Sequence, residues 1–338
     1  MGPSPVLSEN GKKISDLPEN LLLKIFGYLP VKELCIIGRV CRQWRRIVRD
    51  NSLWRHVDLL NYRLDLKKMW KVIRSHLSEC LISIKVKGFM DTGKPKSGAH
   101  SLSDAMLNDL KDRCPNLEEI HLKNCNTTNL NPKLFPSTLV KLTLENCAVQ
   151  PGLMKNFSQD LPQLLFLNVS GTVRFDDIEL SYLCQAEQLK VLIIVNGCYC
   201  VSVESLSKIA QNLKNLLELE LADTGIKNTN QNLELAVHHM TRNLSSLQHL
   251  NFKGCASLSP VILQNLLSGL KKLKILNIAC CSDVKYTSLV SMEQNMKGLR
   301  LLELCESQME GHNIEGLESL LLECSVHLVE PCTCKCQR

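Results

Sequence analysis

Aromatic residues are scarce. Phe, Trp and Tyr make up 4% of the 338 residues, although 44% of the chain is hydrophobic. A sizeable core is possible, but aliphatic side chains must build it. No run of about 18 apolar residues occurs, which excludes an apolar membrane-spanning helix. Residues 1–13 carry no apolar stretch, so no secretory leader is expected there. The usual signatures of catalysis are missing too: there is no Gly-x-Ser-x-Gly and no His-Glu-x-x-His. Thr92-Gly93-Lys94-Pro95 mimics a phosphate loop, but proline stands where Ser or Thr must hold the metal. Catalysis by this chain is not expected, and no pattern asks for a cofactor. Charge of one sign is also lacking. Lys and Arg exceed Asp and Glu by only 40 to 34, too few for a nucleic-acid surface. Cysteine, by contrast, is plentiful. The 17 are odd in number and many fall at repeated core positions, so reduced thiols are expected, in a cytosolic or nuclear protein.

What the chain does have is one phrase, stated eight times: leucine, two residues, leucine, one residue, leucine, two residues, then a small residue. It begins as Leu117, Ile120, Leu122 and Cys125, and ends as Leu299, Leu302, Leu304 and Ser307. The first leucines are spaced by 22, 25, 25, 27, 31, 26 and 26 residues. The third and fifth offsets lie two apart, so both side chains leave one face of a short strand. One such strand cannot bury that face alone; stacked copies with helices behind them can. The small Cys, Thr or Ser that closes each phrase can hydrogen-bond backbone in the turn. This pattern resembles a leucine-rich repeat solenoid, whose units run about 20–29 residues. The fold class expected is therefore α/β, with a parallel concave sheet and convex helices. Candidate helices are 103–113, 176–184, 203–212, 232–241, 260–268 and 286–295, most of them opening after Ser, Asp or Asn. An irregular first repeat is expected at Leu81, Ile84 and Val86, capped by a helix carrying Met69, Trp70 and Ile73.

The first 60 residues have another texture. Leu17-Pro18-Glu19 starts a helix, and Leu21, Leu22, Ile25, Phe26 and Leu29 follow at helical spacing until Pro30 closes it. A second short helix carries Leu34. A third carries Val40, Cys41 and Trp44 against Arg42, Arg45, Arg46 and Arg49, read here as a solvated face. The elements Leu17-Pro18, Ile25-Phe26-Gly27-Tyr28-Leu29-Pro30, Val40-Cys41-Arg42-Gln43-Trp44-Arg45 and Leu53-Trp54 resemble the F-box, a three-helix module. Arg55-His56-Val57-Asp58-Leu59, Met69-Trp70, Cys114-Pro115-Asn116-Leu117 and Phe135-Pro136-Ser137-Thr138-Leu139 extend the likeness to the combined F-box/leucine-rich-repeat family. The organisation expected is a tail at 1–13, an F-box at 14–58, a linker and capping helix at 59–80, a solenoid at 81–330 and a Cys-rich tail at 331–338.

The resemblance implies a non-catalytic substrate receptor of SCF-type ubiquitin ligases. Its F-box would bind a Skp-type adaptor, and through it cullin and RING subunits, with Leu17, Pro18, Leu21, Leu22, Ile25, Phe26, Leu29, Leu34, Val40, Cys41, Trp44 and Trp54 as the adaptor-binding set. A module of 45 residues that is this apolar is marginal alone and must share surface with a partner. The alternative is a repeat scaffold or inhibitor that binds proteins without driving ubiquitination. For a target protein, the strand positions facing away from the helices give an apolar group, Phe166, Val191, Ile193 and Val195, beside an acidic step, Glu218, Glu220 and Asp223. Exposed apolar strand faces mark contacts, unless the C-terminal segment folds back over them or the register is off by one. Cys332, Cys334 and Cys336 are spaced too tightly for one tetrahedral ion, so no metal ligand is assigned there.

Overall fold

The computed structural model describes residues 14, 17–90, 100–195, 201–223, 230–321 and 323–329. The Cys-rich tail, the 1–13 tail and the Thr92–Pro95 segment lie outside them. Three short helices open the chain: α1 (Glu19–Phe26), α2 (Val31–Ile37) and α3 (Arg42–Val48). Pro18 and Pro30 sit at the N-caps of α1 and α2, where a missing N–H costs nothing. Cys41 caps α3, its Sγ accepting the Trp44 N–H at 3.4 Å. Phe26, Leu34, Ile47 and Trp54 fill the space between the helices. The Trp54 indole N–H finds the Val48 carbonyl at 2.7 Å, so the large ring is buried without an orphaned donor.

Beyond these helices, the described residues form one parallel sheet of eleven strands in sequence order. They are β1 (His56–Arg63), β2 (Ser83–Lys87), β3 (Glu119–Lys123), β4 (Lys141–Glu145), β5 (Phe166–Asn168), β6 (Val191–Ile193), β7 (Glu218–Glu220), β8 (His249–Asn251), β9 (Ile275–Asn277), β10 (Leu301–Leu304) and β11 (Ser325–Leu328). Behind them run α4 (Leu66–His76), α5 (Asp104–Arg113), α6 (Phe157–Asp160), α7 (Asp177–Leu183), α8 (Val203–Asn212), α9 (Asn230–Asn243), α10 (Pro260–Gly269), α11 (Tyr286–Ser291) and α12 (Ile314–Leu320). Asp65, Asp176, Ser202, Ser259 and Asn313 cap α4, α7, α8, α10 and α12 with side-chain acceptors. Strands stand about 4.8 Å apart and helices are about 10 Å wide. The stack therefore curves, with the strands on its inner side.

The strands begin earlier than the repeated phrase does. β1 starts at His56 and crosses the 58/59 boundary expected between F-box and linker; Val57 and Leu59 are its buried pair. Only a short 3-10 turn, Asn51–Trp54, thus separates the three helices from the first strand of the solenoid. Met69 and Ile73 of α4 are fully buried behind β1 and β2, whereas Trp70 is half-buried under the Arg74 guanidinium, 4.3 Å from the ring centroid.

Two features lock the repeats together. Among the described residues, several closing small residues donate to the preceding repeat: Cys147 Sγ to the Leu122 carbonyl at 3.3 Å, Thr172 Oγ1 to Leu144 at 2.6 Å, Cys281 Sγ to Phe252 at 3.4 Å. One residue earlier the backbone turns left-handed, at Asn124, Asn146, Gly171, Asp223, Gly254 and Cys280. Asn, Asp and Gly tolerate that region best. Gly171 is required twice over, because a Cβ there would strike the Asn146 side chain. The last repeat departs from the scheme. Gln308 is buried there and its Nε2 donates to the carbonyls of Ile278, Cys281 and Val284 at 3.1, 3.2 and 3.1 Å.

Candidate functional site

The inner strand face is set by register. Glu119, Lys141, Phe166, Val191, Glu218, His249, Ile275 and Leu301 are successive partners along one row. Thr143, Asn168, Ile193, Glu220, Asn251, Asn277 and Glu303 form a second. Between them Leu142, Leu167, Leu192, Leu219, Leu250, Leu276 and Leu302 are 0% exposed and point to the helices. The period of two therefore leaves Phe166, Val191 and Ile193 half-buried on the inner face. Val195, just past β6, is half-buried as well; its carbonyl accepts the Gly171 N–H at 2.8 Å. β11 pairs with β10 as one more strand, so the described C-terminal segment extends the sheet and does not fold back over the patch.

The neighbours of this apolar group differ on its two sides. Toward β1 lies a network of opposite charges: Lys141 reaches Glu119 at 3.4 Å and stands 4.6 Å over the Phe166 ring, while Glu145 holds both Lys123 and His121. Burial lowers the His121 pKa, with Glu145 opposing. On the other side, His249 faces Glu218 through Nδ1 at 3.2 Å and Glu220 through Nε2 at 3.8 Å. The hydrogen bond from His249 lowers the Glu218 pKa, whereas burial and the hydrogen bond shared with Glu218 push Glu220 up to about 7. Burial opposes charge on His249, but the hydrogen bond and charge of Glu218, with Glu220 and Glu303, outweigh it and raise its pKa.

Glu218, Glu220 and His249 are, among the described residues, the group whose donor atoms come within 4.8 Å of one another. Two carboxylates and an imidazole suit a divalent cation in type. Here both ring nitrogens already face carboxylates, and ion pairing accounts for the cluster. The expectation for Asp223 needs correction. It is the left-handed turn residue after β7, with φ 55°, its N–H donating to the Lys253 carbonyl at 3.0 Å and its carboxyl packed beside Gly254. It shapes the turn beyond β7 and does not stand on the strand face with the two glutamates.

The second face is on the F-box. Of twelve large hydrophobic side chains exposed in the described chain, six lie between residues 14 and 40: Ile14, Leu21, Ile25, Tyr28, Ile36 and Val40. Leu21 and Ile25, four apart, share one face of α1. Pro18 and Cys41 are exposed as well, and Leu17, Leu29 and Trp44 are half-buried, with Trp44 edge-on to Phe26 at 5.2 Å. Leu22, Phe26, Leu34 and Trp54 are a correction to the adaptor-binding set. They are at most 3% exposed, taken up by the module's own core, and position the contact face from behind. Ile14, Tyr28 and Ile36 stand outside the adaptor-binding set expected from sequence. Tyr28 is 90% exposed, at a position the family motif leaves open, and only its exposure marks it. Arg42, Arg45 and Arg46 of α3 and Arg49 at its C-cap are exposed, and Arg46 pairs with Glu19 at 2.7 Å, as a solvated face would.

A helical module with an uncovered apolar face, fused to a leucine-rich repeat stack, is the architecture of the F-box/LRR-repeat proteins. The F-box-like family model matches residues 14–60. The chain is 30% identical over 306 residues to F-box/LRR-repeat protein 12 of Homo sapiens, covering 89% of this chain and 91% of that protein. It is 30% identical over 321 residues to the Mus musculus protein of the same name (94% and 96%), and 30% identical over 309 residues to the Bos taurus one (90% and 92%). The chain belongs to this family. Among solved structures, the Rad7 and Elc1 complex of yeast superposes with a TM-score of 0.49 at 15% identity, over 91% of this chain and 80% of that chain.

Proposed function

We propose that this chain is the substrate-recognition subunit of an SCF-type ubiquitin ligase, working in the cytosol or nucleus. The exposed apolar face built by Leu21, Ile25, Tyr28, Ile36 and Val40 docks on a Skp-type adaptor, which links it to cullin and RING subunits. The observation that carries this reading is the concentration of exposed hydrophobic side chains on a module with a small core of its own. Such a face is costly in water and signals a partner. The target protein lies along the inner strand face. It presents an apolar anchor to Phe166, Val191, Ile193 and Val195, and a basic residue to Glu218 and Glu220, of which Glu218 keeps its charge and Glu220, raised to about 7, gives up its proton as a cation approaches. No residue of the chain performs chemistry. Its contribution is proximity: tethering raises the concentration of target lysines near the charged conjugating enzyme.

Two variants separate the faces. A Leu17→Ala/Pro18→Ala chain, purified from cells with cullin activation blocked, should lose adaptor and cullin while keeping targets. A Glu218→Lys/Glu220→Lys chain should keep adaptor and lose targets. Adaptor retained by the first, or targets retained by the second, contradicts the corresponding half of the proposal.

A further inference from the structure

A cleft of about 440 Å³ lies where the F-box meets the first helix of the solenoid, between α2, α3 and α4. Its size falls in the range of about 300–1,000 Å³ usual for small-molecule sites. Its floor is apolar, made by Val31, Val48, Leu64 and Val72. Its rim is cationic: Arg39, Arg49 and Lys71 converge on it, and among the described residues no acidic side chain lines it. Lys68, also on the rim, is held by Asp65 at 3.5 Å, and Arg45 donates to the Gly38 carbonyl at 3.3 Å. Arg39, Arg49 and Lys71 have no carboxylate partner among the described residues. The surplus of positive charge registers on two neighbouring groups. Burial, then Arg49 and Lys71, holds the His76 pKa down, and the charges of Arg39 and Lys71 pull against the burial that raises Cys35.

We infer that this cleft binds a small anionic amphiphile, whose aliphatic body covers Val31, Val48, Leu64 and Val72 and whose anionic head is taken by Arg39, Arg49 and Lys71. An apolar floor alone would accept any greasy molecule. A cationic rim alone would accept any anion. Their coincidence selects a ligand carrying both at one end-to-end length. The site spans the seam, since α2 and α3 belong to the F-box and α4 to the solenoid, so an occupant also braces one module against the other. This inference is independent of the ligase reading.

The test is octyl phosphate, kept below its micelle concentration and titrated into the full chain by calorimetry. Inorganic phosphate, octanol and octyltrimethylammonium serve as separate arms. Saturable one-site binding of octyl phosphate is expected, weaker by about tenfold or more in Arg49→Gln/Lys71→Gln and weaker also in Val72→Asp. These positions lie on exposed or half-exposed surface, and circular dichroism checks that each variant remains folded. Inorganic phosphate and octanol should each bind far more weakly, and octyltrimethylammonium should not compete. Equal binding by octyltrimethylammonium, or undiminished binding by the folded Arg49→Gln/Lys71→Gln variant, overturns the inference.

Discussion

The F-box and the solenoid use the same kinds of aliphatic residue to opposite ends. In the solenoid, the leucines of the repeated phrase are nearly all sealed: Leu167, Leu192, Leu219 and Leu250 are 0% exposed, and each repeat covers its neighbour. In the F-box, Leu22 and Phe26 are sealed, but Leu21 and Ile25 on the same helix are each 41% exposed. Three helices of seven or eight residues cannot surround all of their apolar surface. The difference teaches where a partner is needed. A stack completes its own core by adding strands, whereas a small helical module is left with a face for another chain to cover.

The sharpest contrast is in stability. Leu250→Ala removes a fully buried side chain from mid-stack and should cost about 2–5 kcal/mol, read as a lowered denaturant midpoint. Leu21→Asp/Ile25→Asp alters residues already facing water and should move that midpoint little, within about 1 kcal/mol. The same double variant should weaken adaptor binding by about a hundredfold or more, because two charges would be buried in an apolar contact. Equal stability losses from the two variants would erase the distinction between the modules.

A finer test concerns the ladder that only the solenoid has. Thr172→Val keeps the shape but leaves the Leu144 carbonyl without its donor, at a cost of about 1–3 kcal/mol. The smallest effect is a pH slope from the inner face. Glu220, raised from 4.5 to about 7, holds its proton more tightly folded than unfolded, so its ionisation removes stability as pH rises from about 4.5 to 7. His249 is raised above its ordinary 6.5. Its contribution is present below that value and is lost as pH climbs through the higher folded one. These two groups pull the melting midpoint down between pH 5 and pH 8, against the rise contributed by His76 and His121, whose lowered pKa values act with the opposite sign, and Glu220→Gln should remove its share of the downward pull. An unchanged slope in that variant would show that Glu220 does not titrate in this range.

Much of this was legible in the residues, because a repeat states its rule many times. The phrase separates the buried leucine row from the opposite strand face that carries Phe166, Val191 and Ile193, which the structure shows half-buried; the small closing residues, expected to bond in their own turns, also reach the preceding repeat. The candidate helices fell within a few residues of α5, α7, α8, α9, α10 and α11, since Ser, Asp and Pro mark where they start. What escaped was stated only once. β1 was hidden because His56-Val57-Asp58-Leu59 lies inside the F-box-like segment and lacks the phrase. Gln308 fills the role of a ladder residue from a different position. The pairing of His249 with both Glu218 and Glu220 depends on β7–β8 register, which joins residues 31 apart for Glu218 and His249. The split of the F-box apolar residues into Leu22 and Phe26 inside, Leu21 and Ile25 outside, follows from where α2 and α3 pack, and spacing along α1 alone does not decide it.

Hydrogen exchange on the full chain, with and without a Skp-type adaptor, tests the division between the modules most directly. The account predicts slow exchange in the solenoid strands under both conditions, and fast exchange in α1 to α3 that slows by orders of magnitude once the adaptor is added. Helices α1 to α3 as protected as β4 to β10 in the free chain, and unmoved by the adaptor, would contradict it.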